Sequence, residues 1–258
     1  MRNSSDFNPW DLGYPEFLSV IGQDNSPPGG QRTVDEWIRR ARIGVESKIL
    51  DLACCTGYSS RSLALSSSCT SVGIDLCNAA LLVAGERSNS RSSYVQGDGG
   101  SLPLRDGVFS HVIAGACFAF IAEKEAALEE CFRVMSPGGR LCVANFFYCR
   151  TPQKEMLDLV EQVVGFQPSP LWSSNYWTQF FDRNFQLEHN ETAELTLQTN
   201  EEIVIACHQA IQLGFRGKEY ISEDFKKSCL ERLYWTRLIL NEHRRYQQYS
   251  VQVWSRRN

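Results

Sequence analysis

Three aspartates frame the chemistry open to this chain. Lys48-Ile-Leu-Asp-Leu-Ala-Cys-Cys-Thr-Gly57 reads as an apolar strand that carries Asp51 and turns tightly into a helix. Asp75 ends a second strand, and Asp98 follows a third in Gly97-Asp-Gly-Gly-Ser-Leu-Pro-Leu104. An ionised carboxylate only accepts hydrogen bonds. Three of them at consecutive strand ends therefore suit a ligand with an ammonium, a ribose and an adenine amine, and suit phosphate poorly. Asp75 falls where a carboxylate receives both ribose hydroxyls. Asp51 has a second reading, as a cap on the turn into the next helix. The small positions of the loop are 53, 55 and 57, with Tyr58 next, which is not the G-x-G-x-x-G spacing that holds a dinucleotide pyrophosphate.

Other reactive side chains are less organised. His111, His189, His208 and His243 lie outside the loop segments, so no catalytic base is named. His208 would reach a pocket if its helix folds over the sheet. The ten cysteines include the adjacent Cys54 and Cys55 but no C-x-x-C pair, which argues against a metal cluster and for thiols that act as small hydrophobes. Trp172, Tyr176, Trp177, Phe180 and Phe181 crowd one stretch. They read either as walls of a pocket for an apolar or aromatic molecule, with Tyr176 and Trp177 foremost, or as ordinary core. Tyr14 and Trp37 are placed to close over a ligand as a lid. A net charge of -4 and a pI near 5.7 give no basic field for nucleic acid. No apolar run approaches the roughly 20 residues that span a bilayer, and the start lacks a signal-like segment, so a cytoplasmic protein is expected.

The elements that must position these groups alternate. Strands are expected at 48–53, 71–75, 93–96, 111–116 and 140–147, with helices at 59–66, 79–86 and 123–135 between them. This alternation predicts a doubly wound α/β sheet, mostly parallel, with both faces covered. Ahead of it, Val34, Trp37, Ile38 and Ala41 repeat at helical spacing. Behind it, helices at 154–164 and 174–182 precede a strand at 185–197. Two long helices, 200–213 and 222–246, then intervene before a last strand at 249–254. The expected organisation is an N-terminal helical lid (1–47), an α/β core (48–198), a helical cap (199–247) and a final core strand (248–258).

The segment from 48 to 148 resembles the class I S-adenosylmethionine-dependent methyltransferases. The resemblance rests on Ile-Leu-Asp51-Leu-Ala-Cys-Cys-Thr-Gly57, Val-Gly-Ile-Asp75-Leu, Gly-Asp98-Gly-Gly-Ser-Leu-Pro-Leu and Phe132-Arg-Val-Met-Ser-Pro-Gly-Gly-Arg-Leu141, in that order. It implies a Rossmann-like sheet whose last strand is antiparallel, and S-adenosylmethionine as the cofactor. Asp51 and the loop Ala53, Cys55, Thr56 and Gly57 would hold the methionyl part. Asp75 would bind the ribose, Leu76 would face the adenine, and Asp98 with Gly99 would meet the adenine amine. Ala114 to Cys117 would face the methyl group, with Phe118 on the acceptor side. Ala53 and Cys55 stand where the family usually has glycine. The chain also lacks the Asn/Asp-Pro-Pro-Tyr/Phe sequence that holds planar amines, so Cys117-Phe-Ala-Phe-Ile121 points away from nucleobase or glutamine acceptors. The expected reaction is methyl transfer by direct displacement to a small acceptor of natural-product type. Methylation of a peptide or protein, and cofactor binding without transfer, remain open beside it, as does the oligomeric state.

Overall fold

The computed structural model describes residues 8–257. Met1–Phe7, part of the expected lid, and Asn258 lie outside the described residues. A seven-stranded sheet has the order β3-β2-β1-β4-β5-β7-β6. Its strands are β1 (Lys48–Leu52), β2 (Thr70–Asp75), β3 (Ser92–Gln96), β4 (Phe109–Gly115), β5 (Met135–Tyr148), β6 (Phe185–Glu194) and β7 (Gln247–Arg256). β1 to β5 pair in parallel, while β7 runs antiparallel to both β5 and β6. The predicted doubly wound sheet with one reversed strand is present. β5 begins at Met135, earlier than its pattern suggested, because Val134 ends the preceding helix and Met135 is already extended. β6 stops at Glu194, short of the predicted 197.

Helices cover both faces. α2 (Gln31–Ala41) and α3 (Tyr58–Ser67) bury Val34, Trp37, Ala41 and Leu63 against Ile49, Ile113, Cys142 and Ala144 on one side. α5 (Lys124–Val134) and α7 (Ser174–Asp182) bury Ala127, Leu128, Trp177, Phe180 and Phe181 against Leu50, Val112, Leu141 and Trp254 on the other. Trp37 is fully buried and its indole N–H points at the Val143 carbonyl, 3.4 Å away. Burying a side chain of this size contributes about 1.5–3 kcal/mol. That is why the apolar stripe of α2 docks on the sheet. α4 (Asn78–Glu86) and α6 (Lys154–Val164) complete the helices that flank the core.

The connection from β6 to β7 decides what lies over the ligand-binding edge. β6 and β5 point the same way, both antiparallel to β7, so β6 ends at the edge where β1, β2 and β4 end. α8 (Asn200–Gly214) and α9 (Glu223–His243) leave the sheet there. α8 starts on a reciprocal cap, with Thr199 Oγ1 accepting from the Glu202 N–H at 3.2 Å and the Glu202 carboxylate accepting from the Thr199 N–H at 2.7 Å. Such caps contribute about 1 kcal/mol each. α1 (Tyr14–Val20) is wedged between this pair and the sheet edge. Phe17, Leu18 and Ile21 form one apolar cluster with Ile203, Cys207, Ile211, Cys229, Leu233 and the loop residue Cys55. Gly214 makes the approach possible: a Cβ there would lie 1.8 Å from the Ile21 carbonyl oxygen. No helix among the described residues is long and apolar enough to cross a membrane.

Candidate active site

The turn after β1 is built on left-handed backbone. Ala53, Cys55 and Gly57 have φ of 51°, 48° and 75°. For a residue with a Cβ this conformation costs roughly 1–2 kcal/mol, and such strain gathers where function requires it. The loop is pinned by the Gly57 N–H on the Cys54 carbonyl (2.8 Å) and the Cys54 N–H on the Ile74 carbonyl (3.0 Å). Gly57 is doubly constrained, because a Cβ would also sit 2.5 Å from the Tyr94 hydroxyl. The two positions that depart from the family's glycines thus adopt the glycine conformation all the same. Ala116, at the end of β4, has φ 63° as well.

The aspartates meet at this edge in different environments. Asp51 is buried and its Oδ2 accepts from Ser60 N (2.9 Å) and Oγ (2.6 Å), so it holds the first turn of α3. Burial pushes its carboxyl up to about 7, offset in part by those two bonds. Asp75 accepts from the Cys55 N–H through Oδ2 and the Cys77 N–H through Oδ1, both at 2.8 Å. Burial raises it as well, against the pull of the backbone donors. Each carboxylate oxygen has a second lone pair, so the Asp75 carboxylate can still accept from ligand hydroxyls. Asp98 is exposed at the mouth, its Oδ1 bonded to the Gly100 N–H at 2.8 Å. Leu76 is 65% exposed beside Asp75, an apolar surface at the position expected to meet adenine.

These features fit an adenosyl sulfonium ligand. Buried acids would answer a cation, a carboxylate with free lone pairs would answer ribose hydroxyls, and an exposed leucine would answer a purine. Ala114 and Cys117 are buried at the end of β4, and the Cys117 thiol lies within electrostatic reach of Asp51 and Asp75. Thr56 is buried too, but its hydroxyl serves a neighbouring strand of chain.

That neighbour is the segment 22–28, within the expected N-terminal lid (1–47). It crosses the loop as a strap. Thr56 Oγ1 reaches the Gln23 carbonyl at 3.2 Å and Asp24 at 3.3 Å. Asp24 is clamped by Arg61 (2.7 Å) and Arg87 (3.1 Å). Pro27 lies on Gly115, where a Cβ would touch it at 3.0 Å. Pro27 thus covers the end of β4.

Several predicted acceptor-side residues fall elsewhere. Trp37 belongs to the core beneath α2 and is no lid. His208 is exposed on α8 and faces solvent. Phe118 and Trp177 are buried in the core under α7, where Phe118 meets Phe180 and Phe181 edge-on and the Trp177 N–H bonds the Phe146 carbonyl at 3.0 Å. Tyr176 is half-buried on Trp177. Tyr14, by contrast, sits where α1, α9 and Cys55 meet, and burial pushes its phenol up to about 12.

Two polar features near this edge carried no sequence signal. Asn145 on β5 is 1% exposed and both its amide atoms lack a partner among the described residues. It follows Ala144, the last residue of β5 paired with β4. Tyr148 Oη and His243 Nε2 share a buried hydrogen bond of 2.8 Å, and burial lowers the imidazole to about 4. Away from the edge, Glu36, His189 and Glu191 lie close together, but Arg39 and Arg40 hold Glu36 and Arg32 holds Glu191.

Comparison with known proteins agrees with this fold. A family model described as a methyltransferase domain matches residues 50–143. The crystal structure of MccD protein superposes with a TM-score of 0.76 at 34% identity, covering 90% of this chain and all of that one. A demethylmenaquinone methyltransferase of Thermus thermophilus is 34% identical over 137 residues, 49% of this chain and 60% of that protein, and one of Paenarthrobacter aurescens is 34% identical over 43% of each. The chain therefore spans about half the length of these two relatives. The fold also matches Haemonchus contortus phosphoethanolamine N-methyltransferase 2 in complex with S-adenosyl-L-methionine, with a TM-score of 0.66 at 14% identity over 94% of this chain and 56% of that one. The chain belongs to the class I S-adenosylmethionine-dependent methyltransferases.

Proposed function

We propose that this protein methylates a small molecule with an apolar or aromatic part, and that the N-terminal strap with α1 and the α8–α9 pair act as lid and cap over the α/β core. One observation carries the reading: α1, α8, α9 and Cys55 share a single apolar cluster, so the edge where transfer would occur is roofed. A roofed edge suits an acceptor that enters whole. An aromatic rim supports the same view, since Phe120, 49% exposed after β4, packs at a tilt on Phe166 with ring centroids 4.4 Å apart, and Phe166 leads on to Trp172. The demethylmenaquinone methyltransferases among the relatives, named for a small-molecule acceptor, point in the same direction.

In this reading Asp75 accepts the ribose hydroxyls, Asp51 and the strained loop face the methionyl end, and Asp98 and Leu76 frame the adenine. When bound, the cofactor supplies an electrophilic methyl group on a sulfonium. The protein's share is placement, because holding the acceptor atom about 3–3.5 Å from that carbon converts a bimolecular step into a local one. Pro27 on Gly115 helps exclude water from the reacting pair. No general base is assigned: His243, held near 4, is far from the neutral value that favours proton transfer. The unpartnered amide of Asn145, just past the last residue of β5 paired with β4, is the group we assign to orient the acceptor.

The test uses methyl-labelled cofactor and separates label in small molecules from label in peptides and proteins. Label retained on macromolecules would overturn the small-acceptor reading. Asn145→Leu adds a second check. It should leave S-adenosylhomocysteine affinity unchanged and lower turnover at least tenfold, as expected when a buried polar contact of about 1.5 kcal/mol is lost. Unchanged turnover would remove Asn145 from the acceptor site.

A further inference from the structure

The roof of the site is cationic. Arg237 on α9 and Arg244 just beyond it stand two helical turns apart, on one face. Arg237 donates to Gln23 Oε1 at 2.6 Å, and the Gln23 carbonyl accepts from Thr56 of the cofactor loop, so a chain of contacts runs from α9 through the strap to the site. Arg244 reaches only the Thr196 carbonyl, at 3.4 Å. Neither guanidinium forms an ion pair with a carboxylate among the described residues. Arg232, the third arginine near Tyr14, is committed to the Pro9 carbonyl and lies 4.2 Å over the Phe17 ring. The Tyr14 hydroxyl lies within electrostatic reach of Cys55, Arg237 and Arg244. Burial and the charge of Arg237 both hold Arg244 below its ordinary range.

Two half-buried guanidiniums without a counter-ion repel each other, and the same site must also receive a sulfonium. The floor answers the cofactor's charge with Asp51 and Asp75. Among the described residues no carboxylate answers the roof. Glu16 on α1 is exposed, and Asp24 is taken by Arg61 and Arg87. We propose that Tyr14, Arg237 and Arg244 form a subsite for an anionic group of the acceptor, a phosphate or a carboxylate, held between the acidic floor and the cap. This rests on the small-acceptor reading and gives it a charge: the apolar part lies toward Phe120 and Phe166, and the anionic part under α9. Arg suits either anion, through paired N–H donors in a fixed fork.

Inorganic phosphate and S-adenosylhomocysteine are the probes. At constant ionic strength, phosphate should bind the S-adenosylhomocysteine-loaded protein saturably, read by phosphorus NMR line width. Its affinity should fall about tenfold or more in Arg237→Gln and in Arg244→Gln, the scale of one lost charge-assisted bond. Arg244→Lys should recover part of the loss, and Tyr14→Phe should show a smaller one. S-adenosylhomocysteine affinity should stay within about twofold of the intact protein's. The same phosphate affinity in all variants would overturn the subsite. So would a drop in S-adenosylhomocysteine affinity alone, since the arginines would then hold the cofactor's own carboxylate. The phosphate titration is repeated on the free protein. If the intact protein fails to bind S-adenosylhomocysteine, the methyltransfer reading fails while this second arm still decides the subsite.

Discussion

At the amino-terminal end of the sheet a cleft of about 550 Å³ opens between the starts of β1, β2, β3 and β4, lined by Lys48, Thr70, Ser71, Arg91 and Phe109 among others. The carboxyl-terminal end is covered by the strap, α1 and the cap. Judged by open space, the first end would be the site. Judged by stored strain and charge, it is the second. Five described non-glycine residues have positive φ. Arg42 and Ser68 simply end helices, whereas Ala53, Cys55 and Ala116 cluster at the carboxyl edge. Both groups of buried acid lie there too. At the opposite end the buried ionisable group is His111, satisfied by Ser110 at 2.9 Å and the Ala41 carbonyl at 3.0 Å. A functional end is thus marked by what the fold spends on it, and its volume can be hidden by its own cover.

The sharpest test of this contrast is Asp75→Ala set against Ser71→Ala at the other end of the same strand. Losing the ribose contacts should weaken S-adenosylhomocysteine about a hundredfold by calorimetric titration, for two bonds to a charged acceptor. Ser71→Ala should leave it unchanged, and equal effects would erase the distinction. Next in size is the pH dependence of Asp51. Its carboxyl titrates near 3.8 unfolded and near 7 folded, so the native state holds an extra proton between those values. Its stability contribution is complete below about 4 and is lost as pH rises through about 7. Asp51→Asn should therefore flatten the fall in denaturation midpoint between pH 4 and 7, and an unchanged slope would show that this carboxyl is ionised throughout. Gly214→Ala drives a Cβ into the Ile21 carbonyl and should cost about 1–3 kcal/mol, with faster proteolysis at the strap than in β1 to β5. Uniform protection would mean that cap and lid do not depend on that crossing. The smallest effect is Ala53→Gly, which relieves positive φ at the price of chain entropy and should raise Tm by about 2 °C at most. A fall in Tm would show that the alanine methyl packs usefully in the loop.

The core was legible because its signals are local. Strand and helix periods, the Asp51 loop, Asp75 and the Gly-Gly turn before β5's apolar run each declare themselves within a few residues. Cover and acceptor residues are assembled from distant segments. Arg237 and Tyr14 are far apart in the chain, and nothing in Ser222–Tyr246 marks which arginines lack an acid until α1 is docked. Aromatic density left pocket wall and core both open for Trp177, and its burial decides for core, since a sheet of this width needs large side chains beneath α7 to fill its layers. Trp37, expected in the lid, fills the same need beneath α2. His208 misled by position alone, since α8 turns it outward. Asn145 could not be found at all, because an unsatisfied amide is defined by its neighbours.

The Asp24 clamp on Arg61 and Arg87 has a consequence for timing. The strap lies across the loop and the end of β4 together, so on the proposed lid reading it would release before a spent ligand leaves, and gating would then limit turnover more than bond exchange. Two partly exposed ion pairs weaken as salt is added. Ligand release should therefore speed up with ionic strength, while affinity built on buried groups changes less: a clock adjusted by the solution and separate from the chemistry it times.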